Sequence, residues 1–323
     1  MATHLKTSPE LNLGVGIKVL TPEQAAAANV DLGPLAQLVG EWVNVPAIPS
    51  QQQASGWNLI SVPGPPPDGF VFEVIPYTEQ LTFSPVVVAG NRGLFADGVE
   101  NTQTINGLLY EQIIHSACTT DMCTNRGFKF GTEIHAERGL FLLTPPGNSP
   151  IISEFNIARL SVIPHGNSLL ALGTSSTSGP VPNNFIPPIS PVSSPVFSTF
   201  PFQVSQFPFI SGFAALQQQP DLFLTQMLAG EQVNALTTLE FNTVNGTGGV
   251  LNIPFIHQNV NAAEVAATFW IESIANPVAG KPDILQLQYS QNITLEFAPT
   301  VAPGVNAKWP HITVNTLRKA IVT

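Results

Sequence analysis

The sequence contains very little charge. Only 10% of its 323 residues are Asp, Glu, Lys or Arg, whereas about a quarter of a typical soluble domain is charged. Eleven Lys and Arg stand against 21 Asp and Glu, which gives a net charge of −10. A chain so poor in basic residues has no electrostatic footprint for nucleic acid or for an anionic membrane. We therefore expect neither of these partners.

Long apolar runs and several nucleotide-binding or hydrolytic motifs are also absent from the sequence. No uninterrupted apolar run of about 18 residues occurs, and residues 1–8 lack the apolar core of a signal peptide. We therefore predict a cytoplasmic protein. The sequence has no glycine-rich phosphate loop and no nucleophile elbow. It also has no repeat of about 20–50 residues, which argues against a propeller or solenoid.

Cysteine is scarce, with only Cys118 and Cys123 in the chain. A structural zinc site needs four ligands, and the nearby His115 raises the number of candidates only to three. We interpret the two cysteines as free thiols or as a disulfide across a short loop; a metal site is the less favoured alternative. A bond that closes so small a loop stabilises a fold little.

The chain is instead rich in short apolar runs that are separated by Pro and Gly turns, such as residues 63–69 and 145–148. Many short strands of this kind are typical of a β-barrel or sandwich. Alternation is sustained longest over residues 283–297, a length that favours a barrel wall. One face of that run carries Leu285, Leu287, Tyr289, Ile293, Leu295 and Phe297. We predict strands at 56–62, 69–75, 79–83, 108–116, 132–136, 140–144, 156–163, 168–173, 234–242, 249–256, 266–273, 283–297 and 309–319.

These patterns predict an all-β fold, an antiparallel up-and-down β-barrel with few short helices. Residues 1–33 are predicted to form a leader with one helix near 21–28, and residues 34–323 a single barrel domain. A Pro/Phe-rich insertion is expected at about 174–232. Its prolines exclude helix interiors and central strands, yet it is too apolar for a free linker. We expect it to lie across the barrel or against a neighbouring subunit, with a helix near 220–230.

Histidine is the side chain that titrates near neutral pH, and the sequence contains six. Three of them lie in recognisable contexts. His135 precedes Glu137 and Arg138, His165 lies in a turn between two predicted strands, and His311 follows a proline on the last strand.

Five short motifs occur in an order that resembles the nitrobindin-like, fatty-acid-binding-protein-like haem β-barrels. They are Gly40-Glu41-Trp42, Tyr77-Thr78-Glu79-Gln80-Leu81-Thr82-Phe83, Leu108-Leu109-Tyr110-Glu111-Gln112, His135-Ala136-Glu137-Arg138-Gly139 and Pro310-His311. The chain is longer than the usual members, and Val45-Pro46-Ala47-Ile48-Pro49 replaces their glycine-rich loop. The resemblance is therefore to an enlarged member of that family.

The resemblance implies a lipocalin/nitrobindin-like barrel that holds haem b, with His311 as the proximal iron ligand. A neutral imidazole and an apolar cleft are what haem requires of a protein. Trp309 and Thr313 share a strand face with His311, so we expect both to border the cofactor. The alternative is that His311 is a strand-end histidine hydrogen-bonded to backbone.

A haem that activates peroxide needs a nearby base and a cation. His165 with Arg159, or His135 with Arg138, could supply them. Along an extended strand Arg159 and His165 would lie about 20 Å apart, so they require a bend to act together. Structural roles are the alternative for each, and we interpret Glu137 and Arg138 as a solvated hairpin tip.

Three functions remain open at this point. The first is a haem-binding barrel with redox or small-gas chemistry, either peroxidase-like oxidoreductase turnover or the handling of NO and peroxynitrite. The second is a carrier of an apolar small molecule, of fatty-acid or retinoid type, in the same cavity without iron. The third is a structural protein whose insertion packs subunits together. We also expect a homo-oligomer.

Overall fold

The apolar runs of the sequence form strands of one antiparallel sheet. The computed structural model describes residues 17–45, 55–63, 70–94, 100–144, 154–187, 219–244, 247–258, 260–297 and 308–320. The strands are β1 (Ile17–Val19), β2 (Gly40–Asn44), β3 (Gly56–Pro63), β4 (Phe70–Leu94), β5 (Glu100–Ser116), β6 (Glu133–Leu143), β7 (Ile157–Ile163), β8 (Asn167–Ser178), β9 (Val233–Asn242), β10 (Gly248–Asn252), β11 (Val260–Ile274), β12 (Ile284–Phe297) and β13 (Lys308–Lys319).

The sheet closes on itself as a ten-stranded barrel. Strands β4 to β9 pair in chain order, followed by β11, β12 and β13. Both β2 and β3 fill the place between β13 and β4, and the pairing of β4 with β5 completes the circuit. Strand β1 adds to β4, and β10 adds to β8. The predicted all-β, antiparallel, up-and-down barrel is confirmed.

Helices are few and short, as predicted. They span Pro22–Ala27, Asp121–Asn125, Leu222–Met227 and Pro254–His257, with a 3-10 helix at Gly33–Leu38. The first is capped by Thr21, whose Oγ1 accepts a hydrogen bond from the Gln24 amide while Gln24 Oε1 accepts one from the Thr21 amide. None of the helices in the described ranges has the length and apolar character needed to span a membrane. The cytoplasmic location stays a prediction.

Two predictions of strand boundaries near prolines are wrong. Residues 69–75 and 79–83 were expected as separate strands, yet residues 70–75 and 79–83 belong to the single strand β4, which continues through Pro76 although proline has no amide to donate. The carbonyl of Pro76 instead accepts a hydrogen bond of 2.9 Å from the Ala117 amide. Conversely, the strand expected over 249–256 stops at Asn252, because Pro254 begins a helix there.

The prediction of a hairpin tip at Glu137 and Arg138 is wrong. Both residues lie inside the continuous strand β6, where Glu137 faces the barrel interior with only 2% of its surface exposed. Gly139 marks a close approach rather than a turn, because a Cβ atom there would lie 2.0 Å from the carbonyl oxygen of Leu160. Arg138 alone is solvated, and it pairs on the surface with Glu111.

One end of the barrel is filled by apolar side chains. The 3-10 helix Gly33–Leu38 plugs this end with Leu35 and Leu38, which are fully buried. Trp42 Nε1 donates a hydrogen bond of 2.7 Å to the Leu38 carbonyl and so ties the plug to β2. The same cluster includes Leu81, Phe83, Leu108, Phe141, Phe241, Phe269 and Leu287. Within the described residues, this filling leaves the opposite end of the barrel interior as the place for a ligand.

The predicted start of the insertion at 174 is wrong, because residues 174–178 belong to β8. The described segment at 219–232 lies across the outer wall of the barrel. We call residues 219–232 the strap. The ring of Phe223 in the strap stacks on Trp57 of β3 at a centroid distance of 4.5 Å. Gln288, on the outward face of β12, donates a hydrogen bond of 3.0 Å to the Leu224 carbonyl. The polar side chains Gln286, Gln288 and Ser290, on the other face of β12, are likewise buried. Residues 188–218 of the insertion lie outside the described residues, and the homo-oligomer stays a prediction.

Glu272 is a fully buried carboxyl group on this outer wall. Its Oε2 accepts a hydrogen bond of 2.7 Å from Gln286 Nε2. Burial raises its pKa to about 8, an effect that Gln286 and the charge of Arg318 oppose and the charge of Glu231 reinforces. Between pH 4.5 and about pH 8 the folded protein holds a proton here that the unfolded chain, with a pKa near 4.5, has already lost.

This carboxyl group should make the fold less stable as the pH rises. The folded pKa of Glu272 is raised, so its contribution is complete below pH 4.5 and is lost as the pH rises towards 8. Across that interval we expect the wild type to lose on the order of a few kcal/mol more unfolding free energy than Glu272→Gln. Urea unfolding of both proteins at about pH 5 and about pH 9 measures the difference. Identical pH slopes would show that Glu272 is ionised in the folded state throughout.

Candidate functional site

A cavity of about 430 Å³ occupies the end of the barrel opposite the plug. We call this the cavity end; it is where β5 ends, β6 begins and the β7–β8 turn lies. The volume falls in the range of about 300–1,000 Å³ that is typical of small-molecule sites. Its apolar walls are formed by Ile60, Ile75, Ile114, Phe128, Phe269 and Ile293.

The three histidines singled out in the sequence all line this cavity. His135 comes from β6, His165 from the turn after β7 and His311 from β13. The rings of His135 and His165 lie 5.6 Å apart between centroids. Arg159 of β7 also lines the cavity, so Arg159 and His165 border the same space although the extended chain separates them. The barrel thus brings together residues that are far apart in the sequence.

The two residues expected beside His311 lie in different places. Thr313 lines the cavity. Trp309 is fully buried and belongs to a second apolar cluster, which also contains Trp57 and Phe297. Contact of either residue with a cofactor stays a prediction.

His311 is held in one tautomer by a side chain. Its Nε2 lies 2.6 Å from Oδ1 of Asn58 on β3. Because an amide oxygen only accepts hydrogen bonds, Nε2 carries the proton and Nδ1 keeps a lone pair. Burial, together with the charges of His135 and His165, lowers the pKa of His311 to about 4. At neutral pH His311 is therefore an uncharged imidazole, the form that binds metals.

A buried ion pair forms one side of the site. Arg159 Nη2 lies 2.8 Å from Oε1 of Glu137, and both side chains are almost fully buried. Arg159 also donates from Nε to Tyr110 Oη at 3.1 Å and from Nη1 to Gln291 Oε1 at 2.6 Å. Tyr110 Oη donates to Glu137 as well, and His135 Nε2 lies 3.4 Å from Glu137 Oε2.

This network keeps the ion pair charged. Burial acts to raise the pKa of Glu137, but the charge of Arg159 and the hydrogen bonds from His135 and Tyr110 hold it well below its usual range. Burial acts to lower the pKa of Arg159, but Tyr110 and Glu137 outweigh this effect and raise the pKa above its usual value. The cation expected to serve a ligand, Arg159, is therefore already matched by the carboxylate of Glu137.

A second buried carboxylate lies beneath the cavity. Glu79 accepts hydrogen bonds of 2.7 Å from Gln112 Nε2, 2.6 Å from Tyr289 Oη and 2.6 Å from Asn315 Nδ2. Tyr289 Oη in turn lies 2.8 Å from Tyr77 Oη. Both tyrosines line the cavity, so this network reaches the ligand space through phenol groups.

A disulfide supports part of the cavity rim. Cys118 and Cys123 are bonded to each other, the second of the two interpretations of this pair. The amide of Phe128 donates a hydrogen bond of 3.0 Å to the Cys123 carbonyl. Phe128 and Gly127 then line the cavity, so the disulfide loop fixes the segment that borders it.

Among the described residues, no three or more His, Cys, Asp or Glu side chains are placed to hold a metal ion. That result concerns ions that protein ligands hold by themselves. A haem iron takes most of its ligands from the porphyrin and needs a single axial side chain. The arrangement around His311 is therefore compatible with haem and with a ligand that has no metal.

Several site residues escaped the sequence analysis. Glu79, Glu137 and Gln291 face inward, but they lie on strands that were recognised by their apolar residues. A parity count would have placed Glu137 on the same face as His135, two residues earlier. Asn58 carries no such signal, because only the pairing of β3 with β13 brings it to His311.

The comparisons with known proteins are sparse. No family model and no curated protein matches the sequence. The crystal structure of Rv2717c from M. tuberculosis aligns over 90% of this chain and 100% of its own, with a TM-score of 0.39 and 14% identity. A similarity this weak supports no inference about activity. What the structure establishes is a closed ten-stranded β-barrel with a cavity able to hold a ligand.

Proposed function

We propose that the protein is a nitrobindin-like haem-binding β-barrel in which His311 is the axial ligand. The observation that carries the proposal is an uncharged imidazole on the wall of a largely apolar cavity, with its proton committed to Asn58. A histidine that ligates a metal usually donates its other ring N–H to an oxygen, which fixes the ring. Asn58 would have this role towards His311.

The residues present fit haem in their chemistry. His311 offers a nitrogen lone pair, and Ile60, Ile75, Ile293 and Phe269 supply apolar contact. Bound haem would supply redox chemistry or the binding of small gases and peroxides. The apolar walls would exclude water from that chemistry.

Proton handling in this proposal falls to His135 and His165. Both line the cavity, and burial with the nearby charge of His135 lowers the pKa of His165. His165 is therefore a neutral base at physiological pH and could take a proton from a bound peroxide. Arg159 contributes less than an unpaired cation would, because Glu137 balances its charge.

Hemin titration of the purified protein tests the proposal. We expect a shifted Soret band that saturates at one hemin per chain. His311→Ala should weaken binding at least tenfold and change the spectrum of the bound hemin, because the axial nitrogen is lost. His115→Ala is the matched control, since His115 lies on β5 outside the described lining of the cavity. The proposal fails if the wild type gives no Soret shift, or if His311→Ala binds equally well with the same spectrum.

The second candidate is a carrier of an apolar small molecule, and the apolar walls of the cavity favour it without any need for iron. A fluorescent fatty-acid or retinoid analogue, titrated into the same preparation, separates the two functions. Saturable binding of the analogue without a Soret shift for hemin would support the carrier. Displacement of the analogue by hemin, with His311-dependent spectra, would support the haem protein.

A further inference from the structure

Glu79 and Glu137, two buried carboxylates of the barrel interior, differ in how their charge is balanced. Glu137 pairs with Arg159 at 2.8 Å. Glu79 is equally buried, with 4% of its surface exposed, but within the described residues it takes part in no ion pair. Neutral donors alone hold it, and a carboxylate in that position binds a proton more readily than an exposed one.

The groups that face Glu79 come from every strand around it. Tyr289 of β12, Gln112 of β5 and Asn315 of β13 donate to its oxygens, and Asn44 of β2 accepts from its amide. Burial raises the pKa of Glu79, while these three hydrogen bonds and the charge of His135 act against the rise. The net result is a carboxylate that is more basic than usual.

Gln112 and Tyr289 connect Glu79 to the cavity, and of these two Tyr289 carries the hydroxyl group that can pass on a proton. Tyr289 Oη donates its only proton to Glu79 Oε2 at 2.6 Å, so towards Tyr77 Oη, at 2.8 Å, it acts as an acceptor. Both phenol rings border the cavity. A ligand O–H group that donates to Tyr289 would therefore be two hydrogen bonds from the carboxylate.

We propose that Glu79 and Tyr289 form a proton relay at the floor of the cavity, with Glu79 as the proton store and Tyr77 as the neighbour that holds the Tyr289 hydroxyl in place, for ligands that carry an acidic O–H group, such as electron-poor phenols. In the transfer, the ligand O–H bond breaks and its proton joins Tyr289 Oη. The original Tyr289 proton moves to Glu79 Oε2, and the ligand remains as its oxyanion. Only O–H bonds change, so no oxidant or reductant is needed. The relay does not depend on iron.

The first test uses infrared spectroscopy on the protein without any ligand. We expect the C=O band of a protonated buried carboxyl group to disappear as the pH rises, with a midpoint above that of an exposed glutamate. Glu79→Gln should remove this band, and Tyr289→Phe should shift its frequency because one hydrogen bond is lost. Glu272→Gln is the control: it should remove a different band and leave this one unchanged.

The second test uses 4-nitrophenol, whose phenolate is yellow and whose neutral form is colourless. At a pH where the free probe is mostly neutral, we expect wild-type protein to raise the bound phenolate fraction at least tenfold over Tyr289→Phe. Circular dichroism checks that the variants are folded. If Glu79→Gln is unfolded, the comparison of wild type with the conservative variant Tyr289→Phe still tests the relay. The relay is excluded if Tyr289→Phe leaves the frequency of the carboxyl band unchanged. It is also excluded if the wild type does not bind 4-nitrophenol, or if it ionises the bound probe no more than Tyr289→Phe does. Neither result bears on the hemin titration, so the two proposals fail separately.

Discussion

Replacement of Glu137 by methionine is expected to lower the free energy of unfolding by about 3–5 kcal/mol. Glu137 and Arg159 form an ion pair inside the barrel, and both side chains are almost fully removed from water. Arginine does not lose its proton in proteins, so the substitution leaves a buried charge without a counter-charge. Equilibrium unfolding in urea, followed by circular dichroism, measures the loss.

Two companion variants show whether the charge is the cause. Glu111→Met breaks the surface pair with Arg138, and this change should cost no more than about 1 kcal/mol because the pair is solvated. The double variant Glu137→Met/Arg159→Leu should regain much of the stability, since apolar replacement of a whole buried pair is often nearly neutral. A double variant as unstable as Glu137→Met would point to packing instead.

The pH dependence of this effect has a definite sign. The folded pKa of Glu137 is lowered, so its stabilisation is present above the unfolded value near 4.5 and is lost as the pH falls below it. The difference between wild type and Glu137→Met should therefore be full at neutral pH and shrink in acid. A difference that grows as the pH falls would contradict the assignment.

Phe223→Ala is expected to cost about 3–5 kcal/mol and to loosen the strap from the barrel wall. The Phe223 ring is buried and stacks on Trp57 with an interplanar angle of 15°. Its removal leaves a cavity between the strap and β3, which the short helix Leu222–Met227 cannot close without moving. Urea unfolding gives the stability change, and limited proteolysis should cut the variant faster near residues 219–232.

Phe255→Ala is the matched control for this prediction. Phe255 also lies in a short helix, Pro254–His257, but 67% of its surface is exposed. Its loss should change the unfolding free energy by no more than about 0.5 kcal/mol. Equal losses in the two variants would mean that the stacking on Trp57 does not hold the strap.

The fold was largely predictable from the sequence because strand periodicity is a local property. Alternation along residues 283–297 predicted β12. Leu285, Leu287, Tyr289 and Ile293 of its predicted face pack in or against the cluster inside the barrel. Leu295 and Phe297 pack with the second apolar cluster instead. Predicted strand boundaries were wrong where a residue type is compatible with two different local structures. Proline can interrupt a strand or remain within one, as at Pro76. Gly139 could serve a turn or a close strand contact, and neighbouring Leu160 determines which.

The site was predictable only in part. The ordered motifs pointed to His135 and His311, the turn between two predicted strands pointed to His165, and all three do line one cavity. Their order along the chain contains no information on the distance between them. That distance follows from the barrel, which places β6, the β7–β8 turn and β13 at the same end of the molecule.

By itself, the sequence determined the barrel, the position of the last strand as its closing wall and the short list of histidines, because each rests on local pattern. Only the tertiary structure decided their chemistry. The partner of His311 is Asn58, 253 residues away, and that of Glu137 is Arg159, 22 residues away. Protonation depends on burial and on neighbouring charge, and both are properties of strands brought together by closure rather than of any segment alone.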